Sequence, residues 1–227
     1  MKAIILAAGK SSRLYPITLN KPKGLLEIGD RTILDRRINE ILIVVGYKKE
    51  KIKRHLGHHV RYSEYDDFNM TNNLHTLWSV RHELDTDVII SFSDLVLHDD
   101  VITKLIQSQG DIVMTVDTKQ VLDGTMRVEV DNNKLLSIKT TTSENASGNF
   151  IGIAKLNSDG CKRLISEMKN LITENFDDYF TLAIDNISRR GEIVNYCDVS
   201  GLLWREIDTE EEYNEARLIE HMFNQNR

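Results

Sequence analysis

The sequence is poor in the residues that build several protein classes, and each shortage narrows what the chain can be. Two cysteines in 227 residues, Cys161 and Cys197, are too few for a disulfide framework or a zinc site and suit a reducing compartment. Neither has neighbours that argue for a reactive thiol. There are only two prolines, no internal repeat, no low-complexity stretch and no Pro/Gly/Ser linker, so a single domain over residues 1–227 is expected. No apolar run approaches the roughly twenty residues of a membrane span. The apolar start, MKAIILAAG, runs for only about eight residues before the charged GKSSR, shorter than a secretory leader with its cleavage site. Positive charge is lacking too: the net charge of −6 leaves no electrostatic footprint for nucleic acid. A cytoplasmic protein that binds neither nucleic acid nor membrane is expected. What is present is ordinary for a soluble globular chain, 41% hydrophobic and 28% charged residues, and any anionic ligand must be held by a few locally placed cations.

Short β-branched runs alternate with helical patterns. KAIIL, EILIVVGY, VRYSEY, DVIISFSD and DIVMTVD read as strands, and TILDRRIN, KKEKIKRHL, NNLHTLWSVRHEL and DVITKLIQSQ as helices. That order predicts an α/β fold, a doubly wound, mostly parallel sheet flanked by helices. Beyond about residue 125 the pattern changes to a hairpin (MRVEV, DNN, KLLSIKT) and a further strand, NFIGIAKL, which predicts a small antiparallel subregion. Helices over 157–173 and 176–190, strands in EIVNYCDV and LLWREI, and a final amphipathic helix from Thr209 complete the reading. The helix near Thr32 runs into the strand at Ile41 with almost no connection, which implies a truncated helix or residues missing between Glu40 and Ile41. The stretch Gln120–Gly124 is similarly abrupt.

ILAAGKSSRL holds Gly9-Lys10-Ser11, the ending of a P-loop, but the glycine required five positions earlier is Ile4. A Gly-x-Gly-x-x-Gly loop fails as well, since no second glycine stands between the strand and Gly24. What remains is a buried strand ending in small residues, where free amides can receive an anion and a flat base can approach the backbone. Lys10 and Arg13, then Lys21 and Lys23 around a proline, supply positive charge; a tight turn with solvated cations reads equally well.

ILAAGKSSRLYPITLNKPKGLLEI resembles the signature of nucleotidyltransferases of the sugar-phosphate and choline-phosphate type. Its elements stand here as Leu6 to Leu14, Pro16, Thr18 and Lys21 to Lys23. The resemblance implies a Rossmann-like fold in which Leu6, Ala7, Ala8, Gly9 and Lys10 line the nucleotide, Ala8 and Gly9 face the base, and Arg13 with Lys23 binds the triphosphate. It implies that Asp94, at the end of a buried strand, holds Mg²⁺ together with Asp208, although each also reads as a cap. Arg13, Lys23 and Asp94 would then carry catalysis, as nucleotidyl transfer with loss of pyrophosphate. The aromatic-flanked EYDDFNMTNNLHTLW is similar to the choline-phosphate cytidylyltransferase branch and directs the expectation to CTP and a small phosphorylated or phosphonate acceptor. Asn72 and Asn73 are candidate nucleotide contacts, or the cap of the helix that follows. Asn149, Asp178, Tyr179 and Phe180 are candidate acceptor contacts, acids and aromatic faces suiting an amine. A sugar-1-phosphate enzyme using UTP, dTTP or GTP, or a silent nucleotide-binding regulator, are the alternatives, and a homodimer is possible.

Overall fold

The computed structural model describes residues 1–15, 17–19, 23–25, 27–28, 31–32, 41–119, 121–122, 124–140 and 145–225. Its strands are β1 (Lys2–Ala7), β2 (Glu27–Ile28), β3 (Arg31–Thr32), β4 (Ile41–Val45), β5 (Arg61–Glu64), β6 (Val88–Phe92), β7 (Leu95–Leu97), β8 (Ile112–Asp117), β9 (Arg127–Asp131), β10 (Lys134–Lys139), β11 (Gly148–Leu156), β12 (Asn195–Asp198) and β13 (Trp204–Glu206). The helices are α1 (Lys49–Leu56), α2 (Asn73–Ser79), α3 (Asp99–Gln107), α4 (Ser158–Leu171), α5 (Thr181–Arg189) and α6 (Glu210–Gln225). The helix expected from Thr32 lies, from Ile33 to Glu40, outside the described residues, as do Gln120 and Asp123 in the second abrupt stretch.

Nine strands form one sheet in the order β5-β4-β1-β6-β11-β8-β12-β10-β9. The first four are mutually parallel, and β8 and β12 are parallel to each other. β11 enters antiparallel between β6 and β8, and the β9–β10 hairpin turns on Asn132 and Asn133, both at positive φ. This is the expected doubly wound sheet with an antiparallel subregion. Central strands read as unbroken apolar runs because both faces are covered. On one face Ile52 of α1 packs with Ala3, Ile5, Ile41 and Ile43. On the other, Ile4, Leu6 and Val44 pack with Leu74 and Leu77 of α2.

One local expectation changes. The helix expected over NNLHTLWSVRHEL breaks at Val80 into α2 and a one-turn 3₁₀ segment, Arg81–Glu83. Asp99 and Asp100 lie in the first turn of α3, and His98 is its cap, its Nδ1 accepting from the Asp100 amide at 3.2 Å. Lys155 is buried, donating to the backbone carbonyls of Ile106 and Ser108 and so satisfying the end of α3.

Candidate active site: an acidic cluster beside a cavity at the strand ends

The carboxyl ends of β1 and β6 open onto a cavity of about 530 Å³, where a doubly wound sheet places its ligands. Leu6, Ala7, Ala8 and Gly9 line it where β1 runs out. The chain then reverses at Ser11, with φ of 52°, and Ser11's carbonyl accepts from the Leu14 amide at 3.1 Å and the Thr18 hydroxyl at 2.8 Å. That turn presents Arg13. Behind it, the Tyr47 amide donates to Ala8's carbonyl at 2.9 Å. Gly46 allows this approach: a β-carbon there would lie 2.8 Å from the Ala8 oxygen and 2.6 Å from the Phe68 ring, closer than any real contact permits.

Asp94 and Asp208 are 114 positions apart in sequence and are brought together by a short ladder. β7, which follows Asp94, pairs antiparallel with β13, with Leu95 opposite Glu206, and the Ile207 amide donates to Asp94's carbonyl at 2.9 Å. β11 makes room for β7 at Gly152, whose φ is +85° and whose added β-carbon would meet Leu95 at 2.8 Å. Asp208 does not cap α6. Thr209 does, in a capping box with Glu212: the Glu212 carboxylate accepts from the Asp208 and Thr209 amides at 2.7 and 2.8 Å, and the Glu212 amide donates to the Thr209 hydroxyl at 3.2 Å. The Asp208 carboxylate is thereby left to the site.

Lys23, buried, bridges the two aspartates, with Nζ 2.9 Å from Asp94 and 2.6 Å from Asp208. Arg13 reaches the second oxygen of Asp208 at 2.8 Å. Burial works against the Lys23 charge, but the two carboxylates outweigh it and its pKa is raised. The sequence reading missed Glu206, which joins Asp94 and Asp208 with carboxylate oxygens all within 4.8 Å of one another. Burial, reinforced by the neighbouring Asp94 and Asp208, pushes the Glu206 carboxyl well above the usual range. The signal was present in Glu206-Ile207-Asp208, since residues i and i+2 of an extended chain share a face. One oxygen of Asp94, Oδ1, is buried without a hydrogen-bond partner. An oxygen-only donor set with an unspent buried oxygen fits a hard divalent cation such as Mg²⁺.

Of the other expected site residues, Asn72, Asn73 and Tyr179 line the cavity. Both asparagines are also engaged with protein. Asn72 Oδ1 accepts from the Asn73 amide at 2.8 Å and its Nδ2 donates to Asp177's carbonyl at 3.1 Å, while Asn73 Oδ1 accepts from the Phe180 amide at 2.8 Å. Lys10 is exposed beside the cavity rather than on its wall. Asn149 and Phe180 are corrected from acceptor contacts to core residues. Asn149 is fully buried, and its amide exchanges hydrogen bonds with the backbone of Leu122 and Met126. Phe180 is fully buried, edge-to-face with Phe92 at 5.8 Å. Asp178 also stands off the cavity wall and holds α2 through its carbonyl, which accepts from the Leu74 amide at 3.2 Å.

Residues 2–160 match the nucleotidyl transferase family model. Among curated proteins, the chain is 35% identical over 136 residues to a CTP:phosphoglutamine cytidylyltransferase of Campylobacter jejuni, covering 52% of this chain and 53% of that one. It is 38% identical over 101 residues to a choline-phosphate cytidylyltransferase of Streptococcus pneumoniae, covering 40% and 43%. The match thus spans about half the length of these relatives. A UTP–glucose-1-phosphate uridylyltransferase of Haloferax volcanii is 30% identical over 52% of this chain and 54% of its own. Among solved structures, a CTP:phosphocholine cytidylyltransferase from S. pneumoniae superimposes with a TM-score of 0.78, at 23% identity over 96% of this chain and 98% of that one. An inositol-1-phosphate CTP transferase from T. maritima does so with a TM-score of 0.81, at 18% identity over 99% and 96%. These likenesses show a shared fold.

Proposed function

This chain belongs to the nucleotidyl transferase family, and from that premise we propose that it transfers CMP from CTP to a small phosphorylated or phosphonate acceptor. The observation that carries the reading is the cluster of Asp94, Glu206 and Asp208 with Lys23 and Arg13 beside the strand-end cavity. The names of the two cytidylyltransferase relatives above support CTP as the nucleotide and a phosphorylated amine or amide as the acceptor class.

An acceptor phosphate oxygen attacks the α-phosphorus of CTP, the bond to the β-phosphate breaks, and pyrophosphate leaves with the electron pair. Such an acceptor is already anionic at neutral pH, so no general base is needed, and among the described residues no histidine lines the cavity. The protein's part is alignment and neutralisation of charge. Arg13 and Lys23 would turn from the aspartates to the triphosphate and stabilise the departing pyrophosphate. The small residues Ala7 to Gly9 would admit the base against the backbone. Asp94, Glu206 and Asp208 would hold Mg²⁺, which supplies electrostatic stabilisation of the reacting phosphate when bound.

A sugar-1-phosphate nucleotidylyltransferase is the second reading, favoured by the uridylyltransferase relative. The test is pyrophosphate release with Mg²⁺, crossing five NTPs with phosphocholine, phosphoethanolamine, 2-aminoethylphosphonate, glycerol phosphate and sugar 1-phosphates. Release with CTP and one non-sugar acceptor supports the proposal; release with sugar 1-phosphates alone moves the protein to the second reading.

A further inference from the structure

Two loops that are distant in sequence are fastened along one wall of the cavity. Residues 65–72 lead into α2, and residues 172–180 join α4 to α5. Where they meet, the Asn72 amide donates to Phe176's carbonyl at 2.7 Å and the Leu74 amide to Asp178's carbonyl at 3.2 Å. One of the first backbone donors of α2, which lack partners within the helix, and the amide of its cap Asn72 are thus met by a loop about a hundred residues away, and two asparagine side-chain links span 105 and 107 positions. The links are Asn72 Nδ2 to Asp177's carbonyl and the Phe180 amide to Asn73 Oδ1. His75 adds a ring stack on Phe176, with centroids 5.3 Å apart and planes at 13°.

Tyr179 sits in the middle of these fastenings. The residues on either side of it are tied down, Asp178 by its carbonyl and Phe180 by its amide. Its own hydroxyl makes no hydrogen bond to the described residues, and its ring lines the cavity, tilted against Phe92 at 6.4 Å. Phe92 is two residues before Asp94, so the tyrosine stands on the acid-cluster side of the cavity. A side chain with a free polar tip and tethered backbone neighbours is held in place from outside and offered to a ligand.

We propose that Asn72 and Asn73 form a clasp in which Asn73 is a positioning residue for acceptor selection, fixing Tyr179 in the cavity wall by holding the Phe180 amide. This rests on the transferase reading above and on Tyr179 as the acceptor contact expected from the sequence, and it replaces direct nucleotide contact as the role of the two asparagines. The clasp also links the loop beside Phe68, on the β4 side of the cavity, to the one bearing Tyr179. Removing Asn73's oxygen leaves the Phe180 amide unpaired and releases the tyrosine, while β1 and the Arg13 turn are untouched.

The test compares wild type, Asn73→Ala, Asn73→Asp (which keeps an accepting oxygen) and Tyr179→Ala. In Asn73→Ala, amide exchange over 175–180 should quicken by about tenfold, the effect of losing one buried hydrogen bond, with β1 and β6 unchanged. The acceptor KM should rise by about tenfold with the CTP KM within about twofold, Asn73→Asp should restore it, and adding Tyr179→Ala should bring little further loss. Unchanged exchange, or KM values for CTP and acceptor rising together without rescue, overturns the proposal. If Asn73→Ala does not fold, Asn72→Ala, which cuts the Asp177 link, is read the same way. If wild type turns over no acceptor, the transferase reading has failed, and unchanged or quickened exchange alone decides whether the clasp exists.

Discussion

At the scale of residues, the site rests on three acids and two cations that answer to one another. Lys23 is held by both aspartates and Arg13 by one, so the cations expected on phosphate are already gathered at the proposed metal site. Asp94→Asn keeps an oxygen for Lys23 and removes a ligand charge. It should lower turnover by about 100-fold or more, the scale of a lost transition-state contact, with the melting temperature nearly unchanged. Glu206→Gln separates structure from function more sharply. Its carboxyl is pushed toward the neutral form, which glutamine mimics, so thermal stability should hold or rise while Mg²⁺ affinity falls in a direct titration. Arg13, Lys23, Asp94 and Asp208, which the family resemblance singled out, are brought together in the structure. Sequence reading missed Glu206, although its i, i+2 spacing from Asp208 puts the two acids on one face of an extended chain. Asn149 was misread because an asparagine's sequence position says nothing about whether its amide faces a ligand or, as here, the backbone of Leu122 and Met126.

At the scale of elements, short pieces do the positioning. β7 and β13 are three residues each, too brief for periodicity to reveal, yet their ladder joins the halves of the acid cluster. The capping box at Thr209 was legible as Thr-x-x-Glu, but the aspartate before it was as good a cap on paper. Glu83 ties three elements: it accepts from Lys2 of β1 at 3.0 Å, pairs with Arg61 of β5, and belongs to the turn after α2. Arg61's hydrogen bonds are the largest influence on its carboxyl, and with Lys2 they outweigh burial and lower its pKa. A lowered folded-state pKa means that Glu83's stabilisation is full above the ordinary glutamate range and is lost as pH falls through the folded value. Glu83→Gln should therefore lower the melting temperature by about 2–4 °C at pH 7, the effect of about 1 kcal/mol in a chain of this size. The difference from wild type should shrink as pH drops below about 4.5; a difference independent of pH would contradict the assignment.

For the molecule as a whole, the alternation of apolar runs and amphipathic segments made the doubly wound sheet legible, because burial on both faces writes an unmistakable pattern into β1, β4, β6 and β8. Strand order was not legible: nothing local in β11 says that it enters antiparallel between β6 and β8, since strand order is set by non-local connections. The sheet explains why the site lies where it does. β1 and β6 end side by side, in register from Lys2 opposite Val88 to Leu6 opposite Phe92, so the small-residue turn and Asp94 must open onto the same edge. No helix among the described residues is long and apolar enough to cross a membrane.

The measurement that bears most directly on the central claim is pyrophosphate release from CTP, with Mg²⁺ and the acceptor panel, by wild type and Asp94→Asn side by side. The account predicts release with CTP and one phosphorylated or phosphonate acceptor, abolished by chelating the metal and lowered by about 100-fold or more in the variant. Release that survives chelation, or that Asp94→Asn matches at the wild-type rate, would contradict it.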